Sequence, residues 1–116
     1  MPNDCWNTLT IEADETEFDT LIQTEFKDIP AEFFKIHQRG VRAVILSVWS
    51  AWFPDFEWLE RLIVKYPSSW VKNEWIEEGG TAGVWVGKIH NNIRQVKSME
   101  WDDMSVEQMA CVFKKK

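Results

Sequence analysis

The 116-residue sequence predicts an α+β fold in which a mostly antiparallel sheet carries helices on one face. Two segments have the apolar spacing of amphipathic helices, and each lies between segments whose composition favours strands. This succession contains the β-α-β-β-α-β order of a ferredoxin-like sandwich, with an extra strand and helix expected at the C-terminal end. Since no linker or repeat interrupts it, we expect residues 1–116 to form a single domain.

The first quarter of the chain predicts a strand followed by a helix. Residues 9–13 alternate enough to indicate the first strand. Asp14 then stands three positions before Glu17, which is the spacing of a capping box at a helix N-terminus. The apolar residues at helical spacing, which predict about three turns, are Phe18, Leu21, Ile22 and Phe26. Pro30 ends this helix.

The middle of the chain contains its most strand-like segment, residues 41–49. Its β-branched residues fall on both faces, so we expect a central strand that is covered on both sides. The preceding segment, 32–37, suits either a strand or a short helix. A second helix is predicted over 54–66, with an outward pair of Glu57 and Arg61.

The last part of the chain predicts a β-hairpin and two further elements. Residues 70–77 and 82–89 are the hairpin arms, because glycines stand where the turn between them is needed. Residues 93–101 predict another strand, and residues 105–113 predict a final helix with a Ser-x-x-Gln capping box.

Composition and charge favour a cytoplasmic protein that is not a nucleic-acid binder. The net charge is −6, and residues 1–32 hold nine acidic residues against one basic residue. Binding to phosphates needs a concentrated basic face, which this sequence lacks. We also expect no membrane association, because no apolar run approaches the roughly 20 residues of a membrane span. Cys5 and Cys111 are expected to be reduced thiols.

The eight tryptophans and the acidic first helix are the candidate binding features. We predict that Trp49 and Trp52 hold the core at the strand-to-helix junction, and that others are exposed for a partner. The predicted partner-binding residues are Asp14, Glu15, Glu17, Asp19, Trp58, Trp75, Glu77 and Trp85. Trp75 and Trp85 lie in the two hairpin arms and are expected to be cross-strand neighbours.

The sequence predicts no catalytic residues, no cofactor and no metal site. His37 and His90 do not pair with either cysteine at the short spacings of zinc sites. The glycines at 79, 80, 83 and 87 precede no helix, so they are interpreted as turn and bulge residues rather than as a phosphate loop.

Four motifs occur in an order that resembles one known family. Residues 1–11 read Met-Pro-Asn-Asp-Cys-Trp-Asn-Thr-Leu-Thr-Ile, and residues 49–54 read Trp-Ser-Ala-Trp-Phe-Pro. Tyr-Pro follows at 66–67, and Glu-Glu-Gly-Gly at 77–80. Together they resemble the YubB-type ferredoxin-like domain proteins of phages and plasmids, although Asp4 stands where the family usually has tryptophan. The resemblance implies an accessory protein of a mobile element that acts inside the host cell, and it carries over no catalytic residues.

We therefore expect a non-enzymatic accessory protein that binds and inhibits a host protein, such as a defence component, through its acidic helix and exposed aromatics. The partner would have a basic surface, and a DNA-mimic mode and a homodimer are left open. The alternative is a protein that binds a small molecule or nucleotide in a tryptophan-lined cleft. An enzyme is the third hypothesis.

Overall fold

The computed structural model describes residues 3–101, which form six strands, two α-helices and one 3₁₀ turn. The strands are β1 (Asp4–Glu12), β2 (Phe34–Arg39), β3 (Ala43–Ala51), β4 (Trp70–Glu77), β5 (Ala82–His90) and β6 (Ile93–Trp101). The helices are α1 (Glu15–Glu25) and α2 (Phe56–Lys65), and the 3₁₀ turn is Ala31–Phe33. The final helix that we predict at 105–113 lies outside the described residues.

The six strands make one open antiparallel sheet in the order β2-β3-β1-β4-β5-β6. β1 lies between β3 and β4, with Trp6 opposite Trp49 on one side and Ile76 on the other. The α+β class is thus confirmed, and the order is consistent with a ferredoxin-like fold in which β5 and β6 extend the sheet beyond β4.

One face of the sheet carries the core. In β1, Leu9 and Ile11 are buried, whereas Trp6 and Thr8 are exposed, because successive strand residues point to opposite faces. Side chains of both helices pack against the buried face. The central members of this core are Leu9, Ile11, Phe18, Leu21, Val44, Leu46, Leu59, Leu62, Ile63 and Val71. We call the opposite, helix-free side the open face.

The start of α1 is attached to the loop before β4 through Ser68. Asp14 caps the helix as predicted, since its Oδ1 accepts a hydrogen bond from the Glu17 backbone N–H at 2.9 Å. Glu17 does not complete the expected capping box. The Ser68 hydroxyl takes that place, because it accepts from the Asp14 N–H at 3.0 Å and donates to Glu17 Oε1 at 2.6 Å.

Two local expectations are wrong, and the structure decides a third. β3 is not covered on both sides: Val44 and Leu46 are buried, but Ile45 and Trp49 on the open face are only half-buried, because no described helix packs there. Segment 32–37, expected to be a strand or a short helix, contains both, since the 3₁₀ turn leads directly into β2. The described residues show no Glu57–Arg61 ion pair; instead Glu60 pairs with Arg94 at 2.7 Å, across to β6.

The remaining predicted elements are found close to their expected positions. The hairpin arms are β4 and β5, and the strand predicted at 93–101 is β6. The first strand begins at Asp4, five residues earlier than predicted. Neither α1 nor α2 is long and apolar enough to cross a membrane.

Candidate ligand-binding cleft

A cavity of about 320 Å³ lies between the sheet, the segment after α1 and the first turn of α2. We call it the cleft. It forms where β3 has a free edge: β2 begins with Phe34 opposite Val48, so Trp49 and Ser50 have no strand partner on that side among the described residues. Its polar and aromatic lining consists of Asn7, Asp28, Phe33, Trp49, Ser50, Asp55, Trp58 and Asn73.

Two buried asparagines form the base of the cleft. Asn73 Nδ2 donates to Asn7 Oδ1 at 2.8 Å, and Asn7 Nδ2 donates to the Val48 carbonyl at 3.0 Å and to Ser50 Oγ at 2.9 Å. Asn7 is 5% exposed and Asn73 is 2% exposed. Asn73 makes this one side-chain hydrogen bond within residues 3–101, although a carboxamide offers two donors and two acceptor lone pairs. Hydrogen-bonding capacity is therefore left at the base of the cleft.

The position of these asparagines in the sequence is unusual. Both side chains point to the core face of the sheet. The neighbouring residues on that face are apolar, namely Leu9 in β1 and Val71 in β4. A buried amide donor or acceptor that lacks a hydrogen bond costs roughly 1–3 kcal/mol on mutational scales. Since the hydrogen bond to Asn7 uses only part of the capacity of Asn73, a purely structural core would favour an apolar residue at position 73. A polar pair placed under a cavity is typical of a ligand site.

Aromatic rings form two sides of the cleft. Phe33 stacks on Trp49 with ring centroids 5.0 Å apart and planes 28° apart. The Trp49 indole is further oriented by a 2.7 Å hydrogen bond from its Nε1 to Asp4 Oδ1. On the helix side, Trp58 is half-buried and meets Phe26 edge to face at 5.7 Å. Rings that are fixed in this way present flat apolar surface at little further entropic cost.

The charges at the cleft have one sign. Asp28 and Asp55 are lining residues, and the lining contains no lysine, arginine or histidine from the described part of the chain. Asp55 also caps α2, since its Oδ1 accepts from the Trp58 backbone N–H at 3.1 Å. The rim is therefore acidic, in keeping with the net charge of the whole protein.

The open face has its own exposed apolar residues. Trp6 is 52% exposed, Ile76 47% and Met99 62%. Trp6 in β1 and Ile76 in β4 are direct cross-strand neighbours. Met99 in β6 lies opposite Val84 in β5. A shallow cavity of about 390 Å³ beside Trp6 shares Phe33 and Trp49 with the cleft.

The predicted acidic residues lie together on the first turns of α1. Asp14, Glu15 and Asp19 are exposed, as a partner-binding role requires. Glu17 is half-buried, and its Oε1 accepts hydrogen bonds from both the backbone N–H and the hydroxyl of Ser68. Glu17 therefore ties α1 to the loop before β4.

The three tryptophans that we predict to be exposed for a partner are buried or half-buried. Trp75 and Trp85 are each 3% exposed, so our expectation that they are available to a partner is wrong. They are diagonal rather than direct neighbours, since Trp75 faces Gly83 and Trp85 faces Asn73. Trp58, expected on the outside of α2, packs against the core and lines the cleft.

Glycines explain why the two hairpin indoles fit inside. An added Cβ on Gly83 would lie 2.7 Å from Trp75 Cζ2, and one on Gly87 would lie 2.9 Å from Trp85 Cζ3. These glycines make room for indole rings and are not the bulge residues that we predict. The Gly-x-Trp-x-Gly spacing on one strand face is the sequence signal for this packing.

Glu77 and the junction tryptophans also differ from prediction. Glu77 is 8% exposed and holds the hairpin turn, since its Oε1 accepts from the Gly79 N–H at 2.8 Å and from Asn3 Nδ2. Trp52 does not hold the core: it is 48% exposed, with a positive φ of 68°. Trp49 lies at the boundary between the open face and the cleft.

Neither an activated thiol nor a metal-binding cluster is found among residues 3–101. Burial raises the pKa of the Cys5 thiol, which makes it a poor nucleophile at neutral pH. Within residues 3–101, no three side chains of the types His, Cys, Asp and Glu come together in a way that could hold a metal ion. The chemistry that the cleft offers is stacking, hydrogen bonding and negative charge.

Comparison with protein-family models, curated proteins and solved structures finds no match for this chain. The resemblance to the YubB-type proteins therefore stays a prediction that rests on the four motifs in the sequence.

Proposed function

We propose that this protein binds a small molecule in the cleft, between the asparagine pair at its base and the rings of Trp49 and Trp58. The observation that carries the proposal is the buried Asn7–Asn73 pair under a cavity of about 320 Å³. Ligand sites usually occupy some 300–1,000 Å³ and combine apolar walls with a few convergent polar groups.

Calorimetric titration tests this proposal with the four ribonucleosides and their 5′-monophosphates as probes. We expect at least one probe to bind the wild-type protein. Trp58→Leu should weaken that binding about tenfold, or about 1.4 kcal/mol, which lies within the roughly 1–3 kcal/mol that stacking of a base on an aromatic ring contributes. Trp6→Leu is the matched control, because Trp6 is exposed and does not line the cleft. Its affinity should stay within about twofold of wild type.

Far-UV circular dichroism and urea midpoints establish that each variant is folded. Should Trp58→Leu not fold, Phe33→Leu replaces it, because Phe33 is 37% exposed and lines the same cleft. Absence of binding by every probe, or an equal loss in Trp6→Leu, would contradict the proposal.

A second candidate function is the binding of a host protein, and the exposed carboxylates of α1 favour it. Asp14, which caps α1, is exposed together with Glu15 and Asp19, and none of the three has an ion pair within residues 3–101. Trp6 and Ile76 add exposed apolar surface on the open face. In this proposal the chain is an accessory protein of a phage or plasmid, with the ferredoxin-like topology that its motifs suggest, and it inhibits a host factor that has a basic surface.

Charge reversal tests the second candidate. Glu15→Lys/Asp19→Lys should abolish capture of a host protein at low salt, whereas Glu32→Lys/Glu57→Lys, an equal change of charge at other exposed positions, should not. No protein captured above background, or capture that survives reversal on α1, would count against it.

A further inference from the structure

We infer that the cleft selects a planar heteroaromatic ligand that carries no negative charge, such as a nucleobase or an unphosphorylated nucleoside. This inference rests on the proposed small-molecule function and narrows it. It favours nucleosides over nucleotides, which the sequence does not distinguish.

The acidic rim provides the selection against anions. Asp28 and Asp55 border the cleft, and no basic side chain lines it within the described residues. Proteins hold phosphates with arginine, lysine or the free N–H groups at a helix start. Here the start of α2 is already capped by Asp55, which accepts from the Trp58 N–H. A phosphate would therefore meet two carboxylates and find no cation.

The base and walls of the cleft provide the selection for a flat, polar-edged ring. The remaining N–H and carbonyl oxygen of Asn73 match the alternating donors and acceptors along the edge of a nucleobase. Asn73 is fixed by its hydrogen bond to Asn7, so this edge is preorganised. The indoles of Trp49 and Trp58 supply the apolar surface that a ring needs.

The decisive comparison is adenosine against adenosine 5′-monophosphate, measured by calorimetry at low ionic strength. The two probes share the base and ribose and differ in the phosphate. We expect the monophosphate to bind at least about tenfold more weakly. Repulsion of this size follows from Coulomb's law for a phosphate that lies roughly 8–10 Å from two carboxylates, with an effective dielectric constant between those of protein and water. Added salt should narrow the difference.

A variant without the two rim carboxylates tests whether they cause the difference in affinity. Asp28→Asn/Asp55→Asn should bring the two affinities to within about threefold, and asparagine at position 55 keeps the N-cap of α2. Glu15→Gln/Asp19→Asn removes the same charge from exposed positions of α1 that do not line the cleft, and it should leave the tenfold difference in place.

The outcomes separate this inference from the proposed function. Binding of the monophosphate as tightly as the nucleoside, with loss in Trp58→Leu, overturns the inference and leaves the cleft as a ligand site. A difference that persists in Asp28→Asn/Asp55→Asn also overturns it, because the rim is then not the cause. No binding by any nucleoside or nucleotide overturns both.

Discussion

Gly87→Ala provides the sharpest test of how the hairpin packs. A Cβ at this position would lie 2.9 Å from Cζ3 and 3.0 Å from Cζ2 of Trp85, whereas carbon atoms normally approach to about 3.5–4.0 Å. Trp85 is 3% exposed and belongs to the core, so its ring has little room to move aside. Overpacking of this kind costs about 1–3 kcal/mol.

Backbone entropy alone gives the opposite sign. Glycine in a strand is about 0.5–1 kcal/mol less favourable than alanine, so Gly87→Ala should stabilise the protein if the steric argument were wrong. Gly40→Ala is the matched control, because its Cβ would meet one atom, the Ala43 carbonyl oxygen, at 4.0 Å. We expect Gly40→Ala to be neutral or stabilising by up to about 1 kcal/mol.

Urea denaturation followed by far-UV circular dichroism measures both free energies of unfolding. A double-mutant cycle with Trp85→Phe completes the test, since the smaller ring should relieve part of the cost of Gly87→Ala. A Gly87→Ala protein as stable as wild type, or an additive cycle, would refute the packing described for Trp85.

Three further predictions concern single interactions, each read out as a free energy of unfolding. Asn73→Ala should destabilise the protein by about 1–3 kcal/mol because it leaves the buried Asn7 carboxamide oxygen without its donor, and the cost should fall in the double variant with Asn7→Leu. Asp14→Ala should cost about 1 kcal/mol through loss of the α1 cap while Glu15→Ala changes little, and equal effects would argue against capping. Burial raises the pKa of Glu25, but its hydrogen bonds with Lys65 and Tyr66 outweigh burial and hold the pKa below its usual value. The stabilisation by ionised Glu25 is therefore complete above the unfolded pKa and is lost as the pH falls through the folded pKa. Glu25→Gln should accordingly make the free energy of unfolding fall less steeply on the acid side.

Much of the fold follows from local pattern. The hairpin arms and β6 match their predicted positions because alternation and turn glycines are local properties of the chain. The Asp14 cap was predictable for the same reason, since capping involves residues three apart. The continuation of β1 to Asp4 was not, because Trp6 and Asn7 break the apolar alternation that marks a strand.

The cleft depends on contacts that span the chain. Asn7 and Asn73 are 66 positions apart in the sequence, and only the antiparallel register of β1 and β4 brings their carboxamides together. Each asparagine occupies an inward-facing strand position, which is a sequence signal for a buried polar site, although it does not indicate the partner. The prediction that Trp58 is exposed fails because helical spacing cannot show that the segment after α1 packs beside α2.

The sequence by itself determined the α+β class, the succession of strands and helices and the acidic character of α1, because these depend on spacing and charge within a few residues. Only the tertiary structure decided which tryptophans are exposed. Gly83 and Gly87 admit Trp75 and Trp85 to the core, and the helix-free face leaves Trp6 in solvent. Burial is a property of what packs against a residue, and strands far apart in the sequence supply those neighbours.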